Sequence, residues 1–342
     1  MRVLVTGGTG FIGRKLLTIM GEEGHEVTAL VRRTSDKDVL PKGVIIAEGD
    51  MLDESSLEKV VRSQDAVVHL AAYFDFYAKD VGLLYQVNVG GTRSLINNAA
   101  DAGVKRFVYC STTEVIGGVK NPPGTEETEL RPEWEYSRSK VMGEAVVREA
   151  TKERGIEHVI IRPTGVLGEN DAYVFFEFMK TINDGALPVI PGGGRNYVMF
   201  THVDDVARGL VAALTSKSAK NNTFILCPDN PMTWKEIIVL ASDYLGAKPP
   251  RISIPPFVAE VAMGLIGLYK NRGGQRTFMW RAQSIKALFE DRWYSNEKAK
   301  KLLGWSPKMS MQESIKKALE SHIAEGRLVR NKKGSLINLF LG

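Results

Sequence analysis

An α/β fold, a doubly wound parallel sheet with a smaller C-terminal lobe, is what this chain predicts, and three observations carry that expectation. Short apolar runs alternate with stretches of helical periodicity from the first residues to about residue 162. The short runs are apolar almost throughout instead of alternating, which is the mark of strands covered on both faces. A glycine triplet, Gly7, Gly10 and Gly13, sits where the first run gives way to the first helix. Short connections and right-handed crossovers then wind the strands into one parallel sheet.

The elements follow in order. Residues 2–6 (RVLVT) read as a buried strand, followed by a glycine-rich turn and a helix over 10–23. A second strand is expected at 26–31 and a third, weaker one at 44–47. Asp53 and Ser55 open a helix running to Arg62, because a side-chain oxygen there can satisfy a free N–H of the first turn. Strands at 66–70 and 106–111 flank a helix over 83–102, and a helix over 133–154 leads to a strand at 156–162. Beyond residue 165 the pattern loosens, with glycine and proline clustered at 185–195, a helix at 203–214 and a strand at 223–227. The expected organisation is a sheet domain over 1–165 with returning segments near 200–227, a lobe over 166–325 and a tail over 326–342.

Composition narrows the class. The chain has 342 residues, 44% hydrophobic and 25% charged, which is ordinary for a soluble globular protein and ample for a large core. The net charge of +5 reads as small and scattered and does not call for nucleic acid. Cys110 and Cys227 lie in apolar strand-like runs, so buried thiols are expected, not a disulfide or a metal pair. The chain opens on a strand, so no secretory leader and a cytoplasmic location are expected. The run over 252–269 carries two prolines and Glu260, so it reads as core or pocket wall, with a membrane-surface helix as the alternative, and not as a membrane span. The end, SLINLFLG after a basic run, reads as a frayed tail with weak peripheral membrane contact as the alternative.

The glycine triplet has a chemical reading. Gly7 permits a tight turn out of the strand, Gly10 lets backbone approach a pyrophosphate, and Gly13 allows helix to pack on strand. The helix start then offers free N–H groups and its dipole to phosphate oxygens. Thr9, Phe11 and Ile12 belong to the same loop. The second strand should end on the residue that reads the adenosine ribose, and here it ends on Arg32 and Arg33. Two guanidiniums suit a 2′-phosphate by charge and geometry, so NADP is preferred to NAD. Asp50, beside Met51, reads either as an acceptor for the adenine amino group or as an exposed turn aspartate. Leu70, Ala71 and Ala72 are small enough to let a dinucleotide lie against backbone.

A second constellation lies about 130 residues on, in Tyr136-Ser137-Arg138-Ser139-Lys140. Tyr136 and Lys140 are one helical turn apart and share a face. A free tyrosine is a poor base at neutral pH, and a neighbouring ammonium is expected to lower its pKa. Tyr136 could then exchange a proton with a substrate oxygen. Ser111, Thr112 and Thr113 supply hydroxyls at the carboxyl end of a strand, where ligands bind in such sheets. Gly143 inside this helix costs about 1 kcal/mol relative to alanine, and close approach of a second helix in a homodimer would explain it.

These motifs, with Asn88-Val89-x-Gly91-Thr92, STTEVIG at 111–117, Arg162-Pro163-Thr164 and His202-Val203-Asp204-Asp205, resemble the extended short-chain dehydrogenases/reductases of the NAD(P)-dependent epimerase/dehydratase superfamily over roughly residues 1–325. The resemblance implies a Rossmann fold with a substrate-binding lobe. It makes Tyr136 the acid/base, Lys140 its electrostatic partner and ribose ligand, and Thr112 the donor to the substrate oxygen, with Thr113 as the neighbouring candidate. It counts Asn88 among the cofactor-binding residues and places Pro163 to Val166 beside the nicotinamide. Glu114 fits two branches. Sugar-nucleotide dehydratases resemble this with a glutamate that manages a second proton, and 3β-hydroxysteroid dehydrogenase-like members often carry one too. Gly165 stands where many sugar-nucleotide enzymes have a diphosphate-binding asparagine. The Arg-Pro-Thr-Gly-Val run is closer to hydroxysteroid dehydrogenase-like and dihydroflavonol reductase-like proteins.

Three functions are therefore in view. The first is an NAD(P)-linked oxidoreductase on a small-molecule secondary alcohol or ketone, and the apolar 252–269 run would suit a lipophilic one. The second is a sugar-nucleotide epimerase or dehydratase with transient use of the cofactor. The third, a non-catalytic dinucleotide sensor, predicts a broken Tyr-x-x-x-Lys, and this one is intact. His202, Asp204 and Asp205 read as a turn and helix cap, and no metal is expected.

Overall fold

A computed structural model describes residues 1–171, 174–185, 189–250, 252–255, 257, 258, 261 and 287–331. Seven parallel strands form the central sheet: β1 (Arg2–Thr6), β2 (Glu26–Val31), β3 (Ile45–Glu48), β4 (Ala66–His69), β5 (Arg106–Cys110), β6 (Glu157–Pro163) and a last strand at Asn222–Leu226. Their spatial order runs from that last strand through β6, β5, β4, β1 and β2 to β3. The order reverses between β1 and β4, and the crevice outside the carboxyl ends at that switch point is where such sheets bind ligands. The third strand falls one residue later than its expected span, in register with β2 through Thr28 opposite Ile45.

Helices cover both faces because each carries one apolar stripe. On one side α1 (Phe11–Glu22) packs beside the helix Val203–Thr215, over Val3, Val5, Val27, Val108 and Ile161. On the other lie α2 (Glu54–Val61), capped by Asp53 as expected, α4 (Thr92–Asp101) and α5 (Glu135–Arg154), over Leu4, Val67, Phe107 and Ile160. The single helix expected over 83–102 is instead α3 (Val81–Tyr85), a π-helical stretch Gln86–Gly91, and α4. The wider turn brings Asn88 into the protein interior, where its side chain bonds the Tyr73 backbone and Ser139 Oγ.

After β6 the chain builds β7 (Gly165–Leu167), α6 (Val174–Asn183), β8 (Val189–Pro191), β9 (Tyr197–Val198) and β10 (Phe200–His202), then returns to the sheet through α7 (Val203–Thr215) and β11 (Asn222–Leu226). His202 caps α7, its Nδ1 accepting the Asp204 N–H, as the turn-and-cap reading has it. There follow β12 (Met232–Thr233), α8 (Trp234–Leu245) with a full capping box at Thr233, β13 (Ile252–Ile254), α9 (Glu297–Leu303) and α10 (Met311–Ala324). Here α6, α8 and α10 enclose a separate apolar core that includes Phe175, Phe178, Ile237, Leu245, Ile315 and Leu319.

Cys110 and Cys227 are buried and free. Among the described residues no helix is long and apolar enough to cross a membrane. The 252–269 run departs from its reading as core or pocket wall where it is described. Ile252, Phe257 and Val261 are 61%, 68% and 63% exposed, and the rest of that run lies outside the described residues, as does the terminal SLINLFLG. Gly143 also departs from its reading. A Cβ there would meet the Tyr109 hydroxyl and come within 2.9 Å of its Cζ. The glycine makes room for a side chain of its own subunit, so it gives no support to a dimer.

Candidate active site

A cleft of about 1020 Å³ lies at the switch point. Its floor begins at the glycine loop. Gly7 has φ +73, which a side chain rarely adopts, and a Cβ there would come within 2.7 Å of Ala71 N. A Cβ on Gly13 would come within 2.7 Å of Gly8 Cα, so this glycine lets α1 start against the strand. No side chain caps α1, and Gly10 to Gly13 line the cleft. The loop is thus a bare cradle with a helix dipole behind it, and it fits a dinucleotide pyrophosphate. Thr9, Phe11 and Ile12 line the same wall, as do Leu70, Ala71 and Ala72 opposite.

The Leu70–Ala72 segment is braced from below by His69, which sequence reasoning passed over. Thr6 Oγ1 accepts the Ala71 N–H at 3.1 Å and meets His69 Nδ1 at 2.6 Å; His69 Nε2 meets Thr92 Oγ1 at 2.9 Å. Thr92 donates to the Asn88 carbonyl at 2.7 Å. With the Thr92 proton so used, the ring donates from Nε2 and accepts the Thr6 hydroxyl at Nδ1. Burial, with the Lys140 charge adding, pulls the His69 pKa down to about 3, so the ring stays neutral.

Arg32 lines the cleft with Leu30 and Ser35. Arg33 does not; it is exposed, and it adds only weakly to the lowering of the Glu48 carboxyl, which Lys37 dominates. Asp50 and Met51 line the cleft. Asp50 Oδ1 accepts the Leu52 N–H at 2.9 Å, so it is a turn aspartate that also faces the ligand space. Asn88 lies outside the lining, its amide consumed by Tyr73 and Ser139.

Tyr136, Lys140, Thr112, Thr113 and Glu114 meet at the far end, with Pro163 and Val166 beside them. The three hydroxyls of strand β5's end are used differently. Ser111 donates to Glu144 Oε1 at 2.6 Å, and Thr113 is buried beside Tyr294. Thr112 Oγ1 accepts the Glu114 N–H at 3.1 Å, which leaves its proton to donate into the cleft. Glu114 itself is gripped by Arg292 Nη1, 3.0 Å from both carboxylate oxygens, while Arg292 Nη2 reaches Glu133 at 2.9 Å. Burial and the nearby Glu133 nevertheless raise the Glu114 pKa against the pull of Arg292.

The expected lowering of the Tyr136 pKa is overturned. Burial pushes the phenol well above its ordinary value, and the Cys110 and Glu114 groups add to the rise. Burial instead draws Lys140 down to about 8. The ammonium sits 4.1 Å from the centroid of the Tyr109 ring, a cation–π contact that Gly143 permits by admitting that ring. Phe74 and Phe76 stand edge-on to the Tyr136 ring at 4.9 and 5.6 Å, and Phe76 meets Trp134 at 4.9 Å. Phe178, Phe200 and Trp234 extend this aromatic wall. The Tyr-Phe-Asp-Phe-Tyr run at 73–77, four aromatic residues out of five, was its one visible signal; Arg292, far along the chain, had none.

Glu169, His202 and Asp204 offer ligand atoms within 4.8 Å of one another. Lys317 reaches Glu169 at 2.8 Å and Lys15 reaches Asp204 at 2.9 Å, so lysine ammoniums already meet this negative charge.

Comparison with known proteins gives three findings. The model of the NAD dependent epimerase/dehydratase family matches residues 3–227. The 3 beta-hydroxysteroid dehydrogenase/Delta 5-->4-isomerase of Mycobacterium tuberculosis is 27% identical over 345 residues, covering 97% of this chain and 93% of that protein. Among solved structures, gox2253 superposes with a TM-score of 0.81 at 25% identity, over 95% of this chain and 99% of that one. The UDP-glucose 4-epimerase of Thermus thermophilus, in complex with NAD, gives 0.74 at 25% identity, over 94% and 98%.

The burial of Lys140 generates a stability prediction. A base whose folded pKa lies near 8 and whose unfolded pKa lies near 10.5 binds fewer protons folded than unfolded in that window. Stability therefore rises with pH across it, and the full cost stands below about pH 8. Lys140→Met should stabilise the protein by about 3 kcal/mol near neutral pH, and the gain should shrink toward pH 10.5. Urea unfolding at both ends measures this; a gain independent of pH would contradict it.

Proposed function

The chain belongs to the NAD dependent epimerase/dehydratase family, and from that premise we propose that it is an NADP-linked reductase of a lipophilic ketone, or the dehydrogenase of the matching secondary alcohol. Membership makes it an NAD(P)-dependent enzyme of the extended short-chain dehydrogenase/reductase type. The observation that carries the finer reading is the wall around Tyr136. Phe74, Phe76, Trp134, Phe178 and Trp234 are apolar partners for a hydrocarbon skeleton. Glu114, the carboxylate in the same lining, is paired with the Arg292 guanidinium. The similarity to a hydroxysteroid dehydrogenase over nearly the whole length of both chains agrees. The likeness to UDP-sugar epimerases and the raised Glu114 keep an epimerase or dehydratase as the second reading.

The bound dinucleotide would supply or accept a hydride at the substrate carbon. The residues here do the rest. Thr112 and Tyr136 donate hydrogen bonds to the substrate oxygen, and Tyr136, held protonated by burial, passes its proton to that oxygen in the reductive direction. Lys140 places its positive charge on the same helix face as the phenolate left behind. The apolar wall excludes water, which strengthens each of these contacts. Arg32 just after β2 and Ser35 line the cleft, and a guanidinium there suits a 2′-phosphate, which supports NADP over NAD.

Two outcomes follow. Arg32→Ala should weaken NADPH binding by about tenfold or more, the worth of a charge-assisted contact, and leave NADH unchanged, while Arg33→Ala changes neither; fluorescence titration reads both, and equal losses for the two cofactors would oppose the 2′-phosphate assignment. Tyr136→Phe should cut kcat by at least about a hundredfold with NADPH affinity intact, and a variant that turns over normally would remove Tyr136 from the chemistry.

A further inference from the structure

We propose that Tyr109 is a positioning residue for the proton transfer, its ring face keeping the Lys140 ammonium charged while leaving N–H groups of that ammonium for the ligand. The inference rests on the reading above, in which Tyr136 and Lys140 carry the acid–base step. Lys140 is 2% exposed, and a charge so buried ordinarily has a partner of opposite sign. Among the described residues no hydrogen bond or ion pair reaches its ammonium. What the charge meets is the Tyr109 ring, 4.1 Å from Nζ to the centroid. That ring is wedged in place. Tyr109 is fully buried on β5, the His69 ring stands 5.7 Å from it, and the bare backbone of Gly143 closes the other side.

The titratable groups that face Lys140 come from β4, β5 and α5. On β4, His69 stays neutral. On β5, burial keeps the Cys110 thiol protonated against the pull of Lys140. On α5, Tyr136 is held protonated, and Glu144 is taken up by Arg162, Arg148 and Ser111, so it favours the ammonium through its field alone. Glu114, which faces Tyr136, is gripped by Arg292. Burial holds Tyr109 itself as a neutral phenol, so it offers the negative face of a π-system and not a full charge. The difference matters for the chemistry. A carboxylate in that place would fix the ammonium in a salt bridge and draw its donors away from the cleft. An alkyl floor would leave the charge uncompensated, and the lysine would shed its proton. The ring attracts the charge without a lone pair to bind it, so of the three N–H donors most remain for the cleft that Lys140 lines.

The test is a pH titration of Lys140 by NMR in the full chain, isotopically labelled at lysine Cε, with the signal assigned by its loss in Lys140→Met. It uses neither substrate nor cofactor, so its failure is separate from a failure of the reductase reading, which Tyr136→Phe tests. Wild-type Lys140 should titrate at about 8. Tyr109→Phe should keep that midpoint, because a phenyl ring presents the same face. Tyr109→Leu should lower it by about one pH unit, the size of a desolvated cation–π contact. Near pH 7.5 such a drop takes the charged fraction from about three quarters to about one quarter. Gly143→Ala, whose methyl group would displace the Tyr109 ring, should lower the midpoint in the same direction without removing the aromatic residue. Near-ultraviolet circular dichroism establishes that each variant is folded. A wild-type midpoint in folded Tyr109→Leu or folded Gly143→Ala, or a Tyr109→Phe variant shifted as far as Tyr109→Leu, would overturn the proposal.

Discussion

One buried carboxylate holds the catalytic geometry together. Glu144 is fully buried. It accepts Arg162 Nε and Nη2 at 2.8 and 2.7 Å, Ser111 Oγ at 2.6 Å and Arg148 Nη1 at 3.0 Å. Arg162 is on β6, Ser111 follows β5, and Glu144 shares α5 with Tyr136 and Lys140 at spacings of four. One group therefore fixes the helix that carries the acid and its lysine against the strand end that carries Thr112. These bonds keep the Glu144 carboxyl low although burial alone would raise it. Leaving such a charge network one partner short costs about 3–5 kcal/mol, so the site is as rigid as the core around it.

Within that frame the site tolerates a group the fold alone would reject. A lysine drawn down to about 8 by burial is a cost to stability near neutral pH, and Tyr109, admitted by Gly143, offsets part of it through its ring face. Desolvation gathered at one helix face while the rest of the sheet is ordinary apolar packing is the pattern expected where a protein gives up stability for chemistry. The Glu114–Arg292 pair and the aromatic wall then set what can approach that face.

Much of this was legible in the sequence. Apolar strands and glycine turns follow from backbone rules, so the six leading sheet strands fall within a residue or two of their expected spans, as does the returning strand at 222–226. The loop from Gly7 to Gly13 and the Tyr136–Lys140 pair are local patterns, and both lie in the cleft. What was not legible depends on tertiary context. Arg33 and Asn88 have the right chemistry and the right neighbours in sequence, yet one lies outside the cleft lining and the other is drawn inward by a π-helical turn. The direction of the Tyr136 shift depends on burial by Phe74 and Phe76, which come from a different loop. Arg292 reaches Glu114 across 178 residues, a contact no spacing rule anticipates. Gly143 looked like a helix contact because a lone sequence does not say which side chain fills the gap.

The central claim is that hydride leaves the cofactor for good and stays on a lipophilic product. Reduction of a panel of cyclic and aryl ketones with NADPH deuterated at C4 of the nicotinamide tests it directly. The account predicts that NADP+ accumulates in step with product carrying one deuterium on the new carbinol carbon. Deuterium that returns to the cofactor, with a nucleotide sugar interconverted and no net oxidation, would contradict it.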